Sequence, residues 1–146
     1  MNIEKRYKLQ CDCHAIQLEI TGKPIVHAYC HCQDCRDLHG IPVYAVAAWN
    51  KERVKVLQGN EDLGQYKYPG KEMVRFFCEK CGSTLYNSNM YDWRAVPQSL
   101  IRKCYAGELP AELASNKHFF YGERVVDIKD ELPKYVKGSD GPLFKE

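Results

Sequence analysis

Cysteine places the strongest constraint on how this chain folds. Of its 146 residues 8 are cysteine, and all but Cys104 fall into three short groups. The groups are Cys11-Asp12-Cys13, Cys30-His31-Cys32-Gln33-Asp34-Cys35 and Cys78-Glu79-Lys80-Cys81. Zinc is held by four protein ligands in closed structural sites and by three in catalytic sites that keep one position open. Seven clustered thiols therefore divide most naturally into one closed site and one open site.

The start of the chain carries charged side chains from Glu4 onward and has no apolar run of the kind found in signal peptides. No segment approaches the ~18–20 consecutive apolar residues that span a bilayer. We therefore expect a cytoplasmic protein that does not associate with membranes. Cysteines clustered in a reducing cytosol are more often metal ligands or catalytic groups than disulfides.

Composition and charge are those of an ordinary globular protein. Hydrophobic residues make up 45% of the chain and charged residues 27%, which argues against disorder and coiled coil. The formal net charge is +2, which is too small to indicate nucleic-acid binding through bulk charge. The length, with no linker or repeat, predicts a single domain over residues 1–146, and the sequence does not indicate its oligomeric state.

Short alternating and β-branched runs predict a mainly β, antiparallel fold with little helix. The predicted strands are residues 7–10, 16–20, 43–49, 54–57, 73–77, 84–86, 100–104 and 118–121. Glycine and proline turn signals separate them, as in Tyr68-Pro69-Gly70-Lys71. Helix is expected only as one or two turns at residues 33–38 and 110–113, because neither segment has the length of a packed helix.

Cys78 and Cys81, followed by Gly82, have the spacing of half a zinc knuckle. Gly82 permits a left-handed backbone conformation in which amides face a thiolate. The second half of the site could come from Cys11 and Cys13 or from two members of the Cys30-Cys32-Cys35 group, and spacing alone does not choose. We favour Cys11 and Cys13, because that choice leaves the second group intact and closes a long loop of chain.

Cys30, Cys32 and Cys35, called the triplet below, place three thiols within six residues and could bind one ion from one side. The main alternative is a second closed site in which His31 or another side chain is the fourth ligand. In an extended segment His31 would point away from its flanking cysteines, which favours a supporting or surface role. Cys104 is expected to be a small buried hydrophobic residue within a strand.

Several residues flank the cysteine groups in a recognisable order. The pattern runs Cys11-x-Cys13, Cys30-His31-Cys32-x-x-Cys35-Arg36, Phe77-Cys78-x-x-Cys81-Gly82-Ser83-x-Leu85-Tyr86 and Asp130-Glu131-Leu132-Pro133. It resembles the glutathione-dependent formaldehyde-activating enzyme (GFA) family, which also includes centromere protein V. The resemblance extends over about residues 7–135, nearly the whole chain.

This resemblance implies a fold and two metal sites. The fold would be of the Mss-four-like β type, built from several small antiparallel sheets. The resemblance also implies two Zn²⁺ ions per chain. A structural zinc would be held by Cys11, Cys13, Cys78 and Cys81, and a catalytic, more labile zinc by Cys30, Cys32 and Cys35.

The sequence departs from the family pattern at two places. The family usually has glycine after the first Cys-x-Cys, whereas His14 follows Cys13 here, so this turn must tolerate an imidazole or adopt another shape. The family also commonly carries a tryptophan before its Asp-x-Leu-Pro segment, where this chain has Val125 and Val126. If that tryptophan lines the thiol site, substrate preference differs in this chain.

The donor set of the triplet indicates its chemistry. Three thiolates would leave a bound Zn²⁺ with a net charge of −1 and make it a weaker Lewis acid than zinc on neutral imidazoles. An open position there favours an incoming thiolate that stays nucleophilic. We therefore predict a carbon–sulfur lyase that forms or cleaves an adduct between glutathione, or another small thiol, and formaldehyde or a related electrophile.

Arg36 follows the triplet and is a candidate for binding a carboxylate of a glutathione-like ligand. The alternative function is a non-catalytic zinc module that binds a thiol or a protein partner. A nucleic-acid-binding zinc ribbon is opposed by the near-neutral charge and the lack of a basic arm. The expected partners are therefore a small thiol and an electrophile, and not nucleic acid.

Overall fold

The computed structural model describes residues 4–138 and 141–145. In these residues ten strands and two α-helices are formed, so the predicted mainly β fold with little helix is confirmed. In chain order they are β1 (Arg6–Gln10), β2 (Gln17–Thr21), β3 (Val26–Cys30), α1 (Gln33–His39), β4 (Tyr44–Asn50), β5 (Val54–Gln58), β6 (Leu63–Lys67), β7 (Val74–Cys78), β8 (Thr84–Ser88), β9 (Trp93–Pro97), α2 (Gln98–Cys104) and β10 (His118–Phe119).

The strands form two sheets. One has three strands in the order β1-β2-β5, and the other has seven in the order β10-β3-β4-β9-β8-β7-β6. All pairs are antiparallel except β3 with β10, which is a parallel pair of two residues. The family resemblance implies several small antiparallel sheets, whereas the described residues form two sheets, one of them with seven strands.

The two faces of the seven-stranded sheet serve different purposes. One face packs its large apolar side chains, among them Trp49 and Val96, against the three-stranded sheet and α2 in the main core. The other face carries a smaller cluster that contains Cys30, Cys35 and Tyr44. Because α1 lies over this second face and begins after Cys32, the fold places the triplet there.

Residues 100–104 were predicted as a strand, and this prediction is wrong, because they belong to α2. In the helix Gln98, Leu100 and Ile101 are buried while Arg102 and Lys103 are exposed, a pattern that follows the helical period. The predicted strand at 118–121 ends at Phe119, since Phe120 has a left-handed backbone with φ of 55°.

Three strands were not predicted from the sequence: β3, β6 and β9. The other predicted strands are confirmed to within a few residues, as is the short helix at 33–38, which extends to His39 as α1. The segment at 110–113 contains a single 3-10 turn, Ala111–Leu113. No helix in the described ranges is long and apolar enough to cross a bilayer.

Candidate metal centres

Cys11, Cys13, Cys78 and Cys81 converge although 65 residues separate Cys13 from Cys78. Their four Sγ atoms all lie within 4.8 Å of one another. The Sγ of Cys13 is 3.7 Å from those of both Cys11 and Cys78. Zinc–sulfur bonds of about 2.3 Å place neighbouring sulfurs of a tetrahedral site roughly 3.8 Å apart. The donor set and its spacing therefore fit zinc.

Backbone hydrogen bonds shape the half of this four-cysteine cluster that follows β7. The N–H of Gly82 donates to the carbonyl of Cys78 at 2.8 Å, and the N–H of Cys78 donates to the carbonyl of Ser83 at 2.9 Å. Gly82 has φ of 80°, the left-handed conformation expected for it. The Asp12 N–H donates to Ser83 Oγ at 3.1 Å and so ties the two halves of the cluster together.

The other half of the cluster follows β1 in a tight turn. The His14 N–H donates to the Cys11 carbonyl at 3.0 Å, and the Ile16 N–H donates to Cys11 Sγ at 3.3 Å. His14 itself has φ of 66°. The residue that replaces the family's usual glycine thus keeps the left-handed turn and accepts the strain that a Cβ brings to it.

The triplet lies where β3 ends and α1 begins. Cys30 is the last residue of β3, Cys32 is the N-cap of α1, and Cys35 lies in its first turn. The Cys32 Sγ is 3.3 Å from Cys30 Sγ and accepts the Cys35 N–H at 3.3 Å. All three sulfurs lie within 4.8 Å of one another. Strand, cap and helix therefore present three thiols from one side.

The three triplet thiols cannot all ionise without a cation between them. Hydrogen bonds from Cys30 and Cys35 lower the pKa of Cys32 to about 3. The hydrogen bond to Cys32 raises the pKa of Cys30, and hydrogen bonds to Cys30 and Cys32 raise the pKa of Cys35. The mutual hydrogen bonds thus favour one thiolate at Cys32 over ionisation of all three thiols, and a divalent cation is the natural partner for three thiolates.

A fourth protein donor is absent from the triplet among the described residues. The group of donor atoms there consists of the three sulfurs alone, whereas the other cluster has four. His31 is fully buried, its Nε2 is hydrogen-bonded to His118, and neither of its ring nitrogens belongs to the group of donor atoms at the triplet. The triplet therefore matches a site that keeps one coordination position open.

His31 begins a buried chain of hydrogen bonds. Its Nε2 lies 2.9 Å from Nδ1 of His118, and Nε2 of His118 lies 2.8 Å from a carboxylate oxygen of Asp130. Although burial opposes it, hydrogen bonds from Lys134 and His118 lower the pKa of Asp130 to about 2, so the carboxylate accepts. His118 then donates from Nε2, and His31 donates from Nε2 to His118. Burial lowers the pKa of His31 to about 4 and keeps that ring neutral.

Backbone hydrogen bonds of His31 connect this network of His31, His118 and Asp130 to the segment that carries the triplet. The His31 N–H donates to the Phe119 carbonyl, and the His31 carbonyl accepts from Arg36 Nε at 3.2 Å. The sequence gives no signal for a role of His118, which is 87 residues from His31, and shows Asp130 only as part of the Asp130-Glu131-Leu132-Pro133 motif. The pairing of β3 with β10 brings His118 close to His31. A parallel pair of only two residues leaves no recognisable pattern in the local sequence.

The guanidinium of Arg36 forms hydrogen bonds to backbone carbonyls of the protein. Besides the His31 carbonyl, it donates to the Glu123 carbonyl at 2.9 Å. Its assignment to a carboxylate of the ligand stays a prediction. Cys104 lies in α2, half-buried, and its Sγ is 3.4 Å from the backbone nitrogen of Gln10, so it joins neither cysteine cluster.

Comparison with known proteins agrees with this geometry. The family model described as "Glutathione-dependent formaldehyde-activating enzyme" matches residues 6–123, which include all seven clustered cysteines. The chain belongs to the GFA family. The resemblance of the cysteine pattern is thereby confirmed, and membership associates the chain with glutathione and formaldehyde at the level of the family. No curated protein matches the chain.

A solved structure shares the fold of this GFA-family chain. It is the crystal structure of a Rhodobacter sphaeroides protein, which is 20% identical and superposes with a TM-score of 0.53. The match covers 70% of this chain and 97% of that one. At this level of identity the likeness concerns the fold alone.

Proposed function

We propose that this chain is a zinc-dependent carbon–sulfur lyase that acts in the cytoplasm. Its reaction forms or cleaves the adduct between glutathione, or another small thiol, and formaldehyde or a related electrophile. Cys11, Cys13, Cys78 and Cys81 would hold a structural zinc. Cys30, Cys32 and Cys35 would hold a second, labile zinc at which the thiol binds.

The difference between three and four donors carries this proposal. A closed site needs four protein ligands, and only the first cluster offers four within the described ranges. The side chain best placed by sequence to complete the triplet is His31, and its Nε2 is hydrogen-bonded to His118. Three sulfurs with no fourth His, Cys, Asp or Glu donor among the described residues are what thiol exchange requires.

The residues around the triplet prepare it for this chemistry. Bound zinc would supply a position for the thiol substrate and stabilise it as a thiolate at neutral pH. The protein keeps the three cysteines at the junction of β3 and α1, where strand and helix fix their directions. Tyr44, buried beside Cys30 and Cys35, closes one side against water. Such holding of one reactant converts a bimolecular encounter into a reaction of positioned partners.

The reaction balances without a redox partner. In the direction of synthesis the thiol loses its proton and its sulfur forms a bond to the aldehyde carbon. The electron pair of the C=O bond moves to oxygen, which takes up one proton, and the product is R–S–CH₂–OH. In the reverse direction the hydroxyl loses its proton, the C=O bond forms again and the C–S bond breaks.

The test compares adduct formation by wild type and two serine variants loaded with zinc. Stopped-flow mixing of glutathione and formaldehyde at matched pH and free thiol should give acceleration above the uncatalysed rate for wild type and for Cys104→Ser. Cys32→Ser should show the uncatalysed rate. Thiol binding without acceleration for formaldehyde or any other small electrophile would reject the enzyme and favour a thiol-binding module.

A further inference from the structure

A row of paired residues crosses the seven-stranded sheet on the face that carries the triplet. Ala48 on β4 is paired with Ala95 on β9. Ala95 is paired with Asn87 on β8, and Asn87 with Arg75 on β7. Residues directly opposed in a sheet point to the same face. Because Ala48 and Ala95 pack in one cluster with buried cysteines of the triplet, Arg75 lies on the triplet face as well.

The guanidinium of Arg75 is fixed in place but incompletely paired. It lies over the Phe77 ring, 4.8 Å from the centroid, and its Nη1 donates to Thr84 Oγ1 at 3.4 Å. Its Nε is buried and has no hydrogen-bond partner among the residues that the structure describes. No Asp or Glu of residues 4–138 or 141–145 forms an ion pair with it. A buried cationic donor without an acceptor is costly, which indicates a place for an external anion.

Two other partly buried arginines differ from Arg75 in this respect. Arg36 donates to two backbone carbonyls. Arg94 donates to the Val54 carbonyl and lies over the Tyr86 ring on the opposite face of the sheet. The guanidinium groups of Arg36 and Arg94 are hydrogen-bonded to backbone carbonyls of the fold. The Nε–H donor of Arg75 has no such acceptor among the described residues.

Helix α1 connects the triplet to this row. His39, its last residue, lies with Nε2 3.2 Å from Asn87 Oδ1 and stacks on Tyr44 at 4.0 Å between ring centroids. Burial lowers the pKa of His39 to about 4, so it brings no competing charge at neutral pH. At the other end of the helix Asp34 forms a 3.0 Å ion pair with Lys71 of the β6–β7 connection. Helix α1 and the β6–β7 connection therefore lie beside the row of paired residues that leads from the triplet to Arg75.

We propose that Arg75 anchors a carboxylate of the thiol substrate, so that the site takes small peptide-like thiols bearing a carboxylate. This inference rests on the proposed function, since it assumes that the thiol binds at the triplet. Cys35 and His39 lie one helical turn apart in α1, about 6 Å along the axis. The His39 ring contacts Asn87, which is directly opposite Arg75 on the neighbouring strand, about 5 Å away. An extended tripeptide spans roughly 10 Å, so a tripeptide thiol bound at the triplet has a length comparable with this path along α1.

The test uses S-methylglutathione, which keeps both carboxylates and lacks a thiol, and its diethyl ester. Calorimetric titration of the zinc-loaded protein should show the acid binding wild type and Arg102→Gln equally. Arg102 is exposed on α2, and its substitution removes the same charge. Arg75→Gln should bind the acid about 10- to 100-fold more weakly, as expected for a lost hydrogen bond to a charged group. The ester should bind wild type as weakly as the acid binds Arg75→Gln.

A second readout is the side-chain Nε–H resonance of Arg75 in nuclear magnetic resonance spectra, which should shift on addition of the acid and not of the ester. Arg75→Lys, which keeps the charge and loses the planar fork, should bind with intermediate affinity and provides a second variant if Arg75→Gln does not fold. Equal binding of acid and ester to wild type, or no binding of either, would overturn the anchor.

The outcomes separate this inference from the proposed function. S-methylglutathione cannot undergo the reaction, so its binding is independent of turnover. Acceleration of adduct formation together with equal binding of acid and ester would retain the lyase and reject Arg75 as the anchor. Carboxylate-dependent binding in a protein that accelerates nothing would retain the anchor for a thiol-binding module.

Discussion

His14 shows how a single residue departs from the family pattern without loss of the turn. Its φ of 66° is a left-handed backbone conformation, in which a Cβ causes steric strain that glycine avoids. We expect His14→Gly to raise the free energy of unfolding by roughly 0.5–1 kcal/mol, since relief of strain exceeds the added chain entropy. Urea unfolding of the zinc-loaded protein measures this, with the neighbouring Ala15→Gly as the control that should destabilise. Equal destabilisation by both changes would contradict the strain.

His118 is the residue whose importance was least visible in the sequence. Replacing His118 by Phe would leave Nε2 of His31 buried without an acceptor, because its 2.9 Å partner is lost. We expect the free energy of unfolding to fall by about 2 kcal/mol. Asp130→Asn, which keeps an oxygen acceptor at a partly exposed position, should have a smaller effect. The idea fails if chemical denaturation shows the two variants to be equally stable.

At the scale of elements, the sequence is informative where a pattern is local. The strands from Val54 and from Thr84 begin where alternation predicts them. The error at residues 100–104 arises because Leu100 and Ile101 are adjacent apolar residues, compatible with a strand or with a helix. Gln98 Nε2 donates to the Val46 carbonyl and to Ser115 Oγ, and these hydrogen bonds hold the first turn of the helix in place. Edge strand β6 has few apolar residues and gives little signal.

The connection between β5 and β6 depends on Gly59. It has φ of 84°, and a Cβ there would lie 2.0 Å from the Ala15 carbonyl oxygen. Gly70 has a similar φ of 79° with no atom within 4 Å of such a Cβ. Gly70→Ala should therefore cost about 1 kcal/mol from strain alone, and Gly59→Ala at least ~2 kcal/mol more. Similar thermal shifts for the two variants would show that the close approach to Ala15 does not matter.

At the scale of the molecule, the four-cysteine cluster joins the turn after β1 to the end of β7. A closed tetrathiolate zinc contributes its binding free energy to folding. Cys78→Ser should therefore lower the free energy of unfolding by more than ~3 kcal/mol, whereas Cys32→Ser should have little effect. Thermal unfolding before and after chelation provides the check. An unchanged melting temperature after removal of both zincs would refute the structural assignment.

Only the cysteine ligands of the candidate site were predictable from the sequence, through their number and spacing. Spacing within each group identifies sulfurs that are near in sequence, and the fold then brings Cys11 and Cys13 to Cys78 and Cys81 as favoured. Register across the large sheet is non-local, so nothing in the sequence indicated that Arg75 shares a face with the triplet. The contacts of Arg36 with backbone carbonyls likewise depend on tertiary structure.

The central claim is that the triplet holds a metal with a position open to an external thiol. The most direct measurement is the sulfur-to-metal charge-transfer absorption of protein with cobalt(II) at the triplet, recorded as glutathione is added. We predict that the band intensifies with release of a proton, because the thiolate is the form that ligates. Serine at Cys30, Cys32 or Cys35 should abolish the change. A spectrum that is the same with and without thiol would show a site closed by the protein and would contradict the account.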